Sequence, residues 1–230
     1  MLRSFDLLTG VFTLVPLALL DERRGVTVPS MPRNWGVVSV GDLGGTVTVA
    51  LTTVVIVTTG FAVEPNEVGQ RLGEIGEART VGYAEFGAAG MLTLFIRAVL
   101  CNWMVSTGVV AAMMSTSVSG EVIAMWMPVQ PFFSMGFEHS IVNMFLFPSG
   151  LLLGGDFTIM DYLIWNEIPT VLGNLVGGLV FVAIPLYLTY GRPASPRRIR
   201  ASKRARTVTS PAPTDAAAAT AAVEPETSRV

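Results

Sequence analysis

Between Arg97 and Arg192 the chain runs for 94 residues without a single Lys or Arg. A soluble fold of that size needs basic side chains on its exposed faces, whereas a bundle lying in lipid must keep them out of the hydrocarbon. Composition agrees, since 51% of the 230 residues are hydrophobic, only 14% are charged, and the mean hydropathy is +0.57. A helix needs about 20 apolar residues to cross a bilayer. Four stretches qualify, at 35–62, 85–114, 121–148 and 168–190, while 11–20 is half as long and reads as half a helix. The expectation is an all-α integral membrane protein.

The loops orient it, because Lys and Arg collect on the cytoplasmic side. Arg23, Arg24 and Arg33 lie between the half-helix and the first span, and 64–79 carries Glu64, Glu67, Glu74 and Glu77 against Arg71 and Arg79. The first connection is predicted inside and the second outside. Counting onward puts the tail inside, where Arg192, Arg197, Arg198, Arg200, Lys203, Arg204 and Arg206 follow the last span at once. This basic cluster reads as a plain stop-transfer anchor, with contact to anionic lipid as the alternative. Beyond Thr207 the Pro-, Ala- and Thr-rich sequence is expected to be disordered. Residues 1–190 then form a transmembrane transporter domain, incomplete at its N-terminus, and 191–230 a basic, then disordered, cytoplasmic tail.

Sliding the chain by 132 positions against itself exposes an internal repeat. Without a gap, Phe5-Asp6 pairs with Phe137-Glu138, Pro16 with Pro148, Asn34 with Asn166, and Gly41, Asp42, Leu43 and Gly45 with Gly173, Asn174, Leu175 and Gly177. An odd number of spans per copy inverts one copy relative to the other, and inverted repeats place a substrate path at their interface, where paired helices are broken. The predicted breaks are 5–10 and 136–140. The offset leaves the first copy roughly 50 residues short of the second, enough for one helix and half of another.

Ionisable groups at membrane depth face an interior path or a partner. Glu138 and His139, the only histidine, stand within the third apolar stretch. Histidine exchanges protons near neutral pH. Gly136 precedes it and a second break lies opposite, so His139 is a candidate pore residue. The plainer reading is a histidine satisfied by a backbone carbonyl. Glu138 reads as structural: its repeat mate is Asp6, and a carboxylate in both copies would accept hydrogen bonds from backbone amides freed at each break. Thr9 lies in the first break, where its hydroxyl would meet His139. Gly41/Gly45 and Gly173/Gly177 are small-xxx-small pairs that let helices approach. Asp42 and Arg97 are the other deep charges and are expected to pair. Cys101 is the only cysteine, so neither an intramolecular disulfide nor a cysteine-based metal site is available, and one His completes no site. No cofactor and no nucleic-acid partner is expected.

GFEHSIVNMF, with CNWMV from Cys101, LLTG from Leu7 and NEIPTVLGNLVGG from Asn166, resembles the formate/nitrite transporter family over 5–190. The resemblance implies an aquaporin-like bundle of six helices per protomer with inverted repeats and two broken helices. The first helix and first half-helix of that plan are missing here. It also implies a homopentamer with one pore in each protomer, in a plasma (inner) membrane, passing formate, nitrite or similar small anions, often with protons. By the same resemblance His139 is the central pore histidine, Glu138 the glutamate before it, Thr9 the threonine facing the histidine and Asn102 the pore asparagine. Leu7 and Leu8 form one apolar constriction and Phe132 the other. Asp42 stands where the family has an asparagine, and Asp6 where it has a glutamate.

Apolar rings exclude a hydrated ion and admit a small neutral acid. An anion that gains a proton at His139 and Thr9 would cross uncharged. Two other readings stay open, a truncated, non-transporting subunit and an aquaporin-like neutral-solute channel, although the two Asn-Pro-Ala boxes of aquaporins do not occur. A membrane enzyme would need a nucleophile and base pair or a metal cluster, which a lone buried His does not supply.

Overall fold

The computed structural model describes residues 8–20 and 27–191, and all regular structure among them is helical. Asp6, Leu7 and the tail from Arg192 onward lie outside the described residues. The elements are α1 (Leu8–Leu20), α2 (Ser30–Val57), α3 (Glu67–Ala78), the single turn α4 (Val81–Ala84), α5 (Gly87–Met114), α6 (Val118–Ser134), α7 (Ser140–Leu152) and α8 (Ile159–Tyr190). Three of them, α2, α5 and α8, are long and apolar enough to cross a membrane.

The stretch at 121–148 holds two helices. After α6 ends at Ser134 the chain turns through Gly136, whose φ of +62° favours glycine, and helix resumes at Ser140. The 132-residue offset lays the described residues of α1, Leu8–Leu20, onto α7, Ser140–Leu152. Pro16 and Pro148 sit at the same place in each. The duplication read in the sequence therefore pairs helix with helix.

Three boundaries differ from expectation. α2 begins ahead of residue 35 and stops at Val57, short of 62. Thr58 ends it: its Oγ1 donates to Val54 O at 2.7 Å and accepts from the Phe61 amide at 2.9 Å, and Thr59, Gly60 and Phe61 turn to positive φ. α8 begins at Ile159, well ahead of 168, and contains two π-helical turns, Leu163–Glu167 and Leu179–Ala183. The acidic connection, expected as a loop, folds largely as α3. Asn66 caps it by accepting from the Gly69 amide at 3.1 Å. Its buried face is made of Gly69, Gly73 and Gly76, which lie against Val57, Leu153, Gly155 and Phe157.

Helix association in lipid rests on close packing and interhelical hydrogen bonds, because lipid tails are as apolar as the helix surfaces. α8 seats against α5 through Gly173 and Gly177. A Cβ at Gly173 would stand 2.6 Å from that of Ala98, and one at Gly177 would run into the Val99 carbonyl. The matching pair Gly41 and Gly45 has nothing within 4 Å of a built Cβ.

Candidate pore site at two helix breaks

The starts of α1 and α7 meet. Thr9, in the first turn of α1, places Oγ1 3.3 Å from Nε2 of His139, the N-cap of α7. His139 Nδ1 accepts from the Val142 amide at 3.4 Å, which leaves Nε2 as the ring nitrogen directed at Thr9. Both residues are buried, and the Phe132 ring stacks on the imidazole with centroids 5.7 Å apart and planes 16° from parallel. Leu8 is also buried, packed with Val11, Phe12, Ile141 and Met144. Two helix N-termini, each carrying the positive end of a helix dipole, thus converge on one buried Thr–His contact, an arrangement that favours an anion without a fixed cation.

Asn102 holds this junction from α5. Its Nδ2 donates to Thr9 O at 3.2 Å and to Asn174 O at 2.6 Å, and its Oδ1 accepts from Ser106 Oγ at 3.2 Å. Ser106 in turn lies 2.6 Å from Thr13 on α1. Among these buried contacts Asn102 ties three helices together and meets Thr9 through its backbone.

Glu138 is fully buried and works differently from the expectation. Its carboxylate accepts from side chains, not from freed backbone amides: from Tyr83 OH at 2.9 Å, Asn143 Nδ2 at 3.1 Å, Asn166 Nδ2 at 3.2 Å and Arg79 at 3.4 Å. The freed backbone is served by Asn174. Its Oδ1 accepts from the Ser140 amide at 3.1 Å, and its Nδ2 donates to the carbonyls of Ala98 at 2.8 Å and Glu138 at 3.0 Å. Asp42 and Arg97, expected to pair, turn to different partners. Asp42 Oδ2 accepts from the Leu8 amide at 2.9 Å, while Arg97 donates to Tyr83 OH at 2.8 Å and lies over the Tyr83 ring. With carboxylates elsewhere engaged, the tyrosine hydroxyl relays between Arg97 and Glu138. A cavity of about 660 Å³ lies beside these groups, bordered by Arg79, Tyr83, Arg97 and Gly136.

Sequence reasoning missed Asn174, Asn143, Asn166 and Tyr83. For Asn166 and Asn174 the signal was spacing: with Thr170 they are polar residues four apart in an apolar helix, which places them on one helix face. Among the described residues no cluster of three or more His, Cys, Asp or Glu could hold a metal ion.

Half-helices related by an internal repeat, meeting at a buried histidine among apolar helices long enough to cross a membrane, point to a membrane channel or transporter. The family model described as formate/nitrite transporter matches residues 1–188, and the chain belongs to that family. It is 37% identical over 193 residues to the probable formate transporter of Methanothermobacter thermautotrophicus, an alignment covering 80% of this chain and 68% of that protein. The chain spans about two thirds of the length of the curated relatives it matches, 68% and 66% in two of them. Among solved structures, an FNT family ion channel matches with a TM-score of 0.67 at 24% identity, covering 82% of this chain and 70% of that one. A pentameric formate channel with formate bound matches with a TM-score of 0.58 at 28% identity, covering 74% and 70%.

Proposed function

We propose that the protein is a membrane channel or transporter for small monovalent anions, formate or nitrite among them, with His139 exchanging a proton with the passing anion. The observation that carries the reading is the contact between Thr9 and His139 Nε2 at the meeting point of the two half-helix N-termini. Converging helix dipoles attract the anion, Thr9 and His139 offer it hydrogen bonds, and Phe132 covers the imidazole with an apolar ring that a neutral acid passes more readily than a hydrated ion. Leu8, with Leu7 before it in the sequence, is assigned to the other apolar constriction, and Asn102 fixes the Thr9 backbone that presents the hydroxyl. Glu138 and Gly136 hold the second break in shape, and Asp6 belongs to the first.

The protein acts as a homopentamer with one pore in each protomer, a proposal supported by the likeness to a pentameric formate channel. Residues 1–190 form the transmembrane unit of a plasma (inner) membrane protein, and 191–230 a cytoplasmic tail whose basic residues serve as a stop-transfer anchor. The test is uptake of formate and nitrite into proteoliposomes across a pH series. His139→Asn keeps a hydrogen-bonding side chain of similar size without a titrating proton, so the pH dependence of uptake should change strongly while the protein stays folded and pentameric. A parent-like rate and pH profile in His139→Asn would falsify the proton-exchange role. Absence of uptake of either anion by the parent would remove the substrate assignment.

A further inference from the structure

We propose that Asp42 is a second proton-binding group beside the permeation path, clasping the first helix break when neutral and opposing anions when ionised. The inference rests on the transport reading above. At the second break Asn174 uses both ends of its carboxamide: Oδ1 accepts from the Ser140 amide at 3.1 Å and Nδ2 donates to Glu138 O at 3.0 Å. The repeat offset carries Asn174 onto Asp42 and Ser140 onto Leu8, and Asp42 Oδ2 accepts from the Leu8 amide at 2.9 Å. The accepting half of the clasp is therefore repeated bond for bond. A carboxamide always offers an acceptor and a donor, whereas a carboxyl does so only while protonated and a carboxylate only accepts. An aspartate at this place turns a fixed clasp into one whose donor comes and goes with a proton.

The position gives that proton a consequence. Leu8 precedes Thr9, which touches His139, so the carboxyl acts one residue from the pore contact. Among the described residues few charges face it. The described residues of α1 carry no ionisable side chain, and neither does α7, or the 168–178 segment of α8 that packs on α1. His139 stands at the start of α7 with Glu138 behind it. Arg33 lies more than two turns back along α2, and the Glu67, Arg71, Glu74 and Glu77 set on α3 packs toward the Val57 end of α2. No described cation pairs with Asp42, so its ionisation sets a negative charge beside the route of an anion. A unit charge roughly 10 Å away at an effective dielectric of about 20 slows an anion on the order of tenfold.

Asp42→Asn installs the other copy's carboxamide and fixes the neutral state, and Asp42→Glu keeps the charge. Formate uptake by proteoliposomes of the parent and both variants, from about pH 5 to about pH 8, should fall with rising pH on the order of tenfold more steeply in the parent than in Asp42→Asn, with Asp42→Glu following the parent. Infrared pH titration of the purified protein gives a readout independent of transport: the protonated-carboxyl band lost as pH rises in the parent should be missing from Asp42→Asn. Identical pH profiles, or an identical titrating band, would overturn the proposal. If Asp42→Asn does not assemble, a titrating band that stays unchanged in Asp42→Glu overturns it equally, and one that moves supports it. A band that titrates as described in a parent that carries neither anion upholds the proton site and overturns the transport reading instead.

Discussion

Glu138 shows how one side chain can be read correctly for depth and wrongly for partners. Its burial followed from a carboxylate placed in an apolar stretch. The identity of its four donors did not, because Tyr83, Arg79, Asn143 and Asn166 come from distant segments that only the fold assembles. Thr9 opposite His139 was legible because the repeat sets the two breaks face to face, whereas Asn174 was seen as a repeat mate without its hydrogen bonds. Asp42 and Arg97 were mispaired on charge alone: a backbone amide and a tyrosine hydroxyl satisfied them instead. Glu138→Ala should lower stability by about 1–3 kcal/mol, since it strands a part-buried guanidinium and three further donors. Tyr83→Phe, which deprives Glu138 and Arg97 of one shared hydroxyl, should cost about 1–3 kcal/mol. Thermal unfolding of the detergent-solubilised protein ranks the two, and equal midpoints for the parent and Glu138→Ala would refute this role.

The long apolar helices were legible from hydropathy, and the break in the α6–α7 stretch from Gly136 beside two ionisable residues. α3 was read as a loop for its acidic residues, although Val68, Leu72 and Ile75 recur at helical spacing; its glycine face against Val57, Leu153 and Phe157 is seen only in the fold. The π-helical turns of α8 leave no trace in composition. Where glycines let α8 approach α5, added volume has nowhere to go. Gly173→Ala and Gly177→Ala should each cost about 1–3 kcal/mol by overpacking, while Leu172→Ala, on a half-exposed face of the same helix, should stay within about 0.5 kcal/mol of the parent. The same melting measurement decides, and a Gly177→Ala protein as stable as the parent would mean that α8 and α5 are not held at the close distance described.

For the assembled protein, the charge pattern of the connections and the likeness to a pentameric channel make separate demands. Native mass spectrometry should find five copies of the 24.5 kDa protomer. A cysteine at position 70, Gln70→Cys on the exposed side of α3, should react with an impermeant maleimide in intact cells, while one at Pro225→Cys should react only after lysis; labelling at 225 from outside would reverse the orientation. The background for such work is already built into the chain. Cys101 is its only cysteine, buried within α5 against Val105 and Phe132. A water-borne thiol reagent finds no native target, so each cysteine introduced singly becomes the sole address for a label, and accessibility can be mapped residue by residue along the whole permeation route without first deleting anything from the protein.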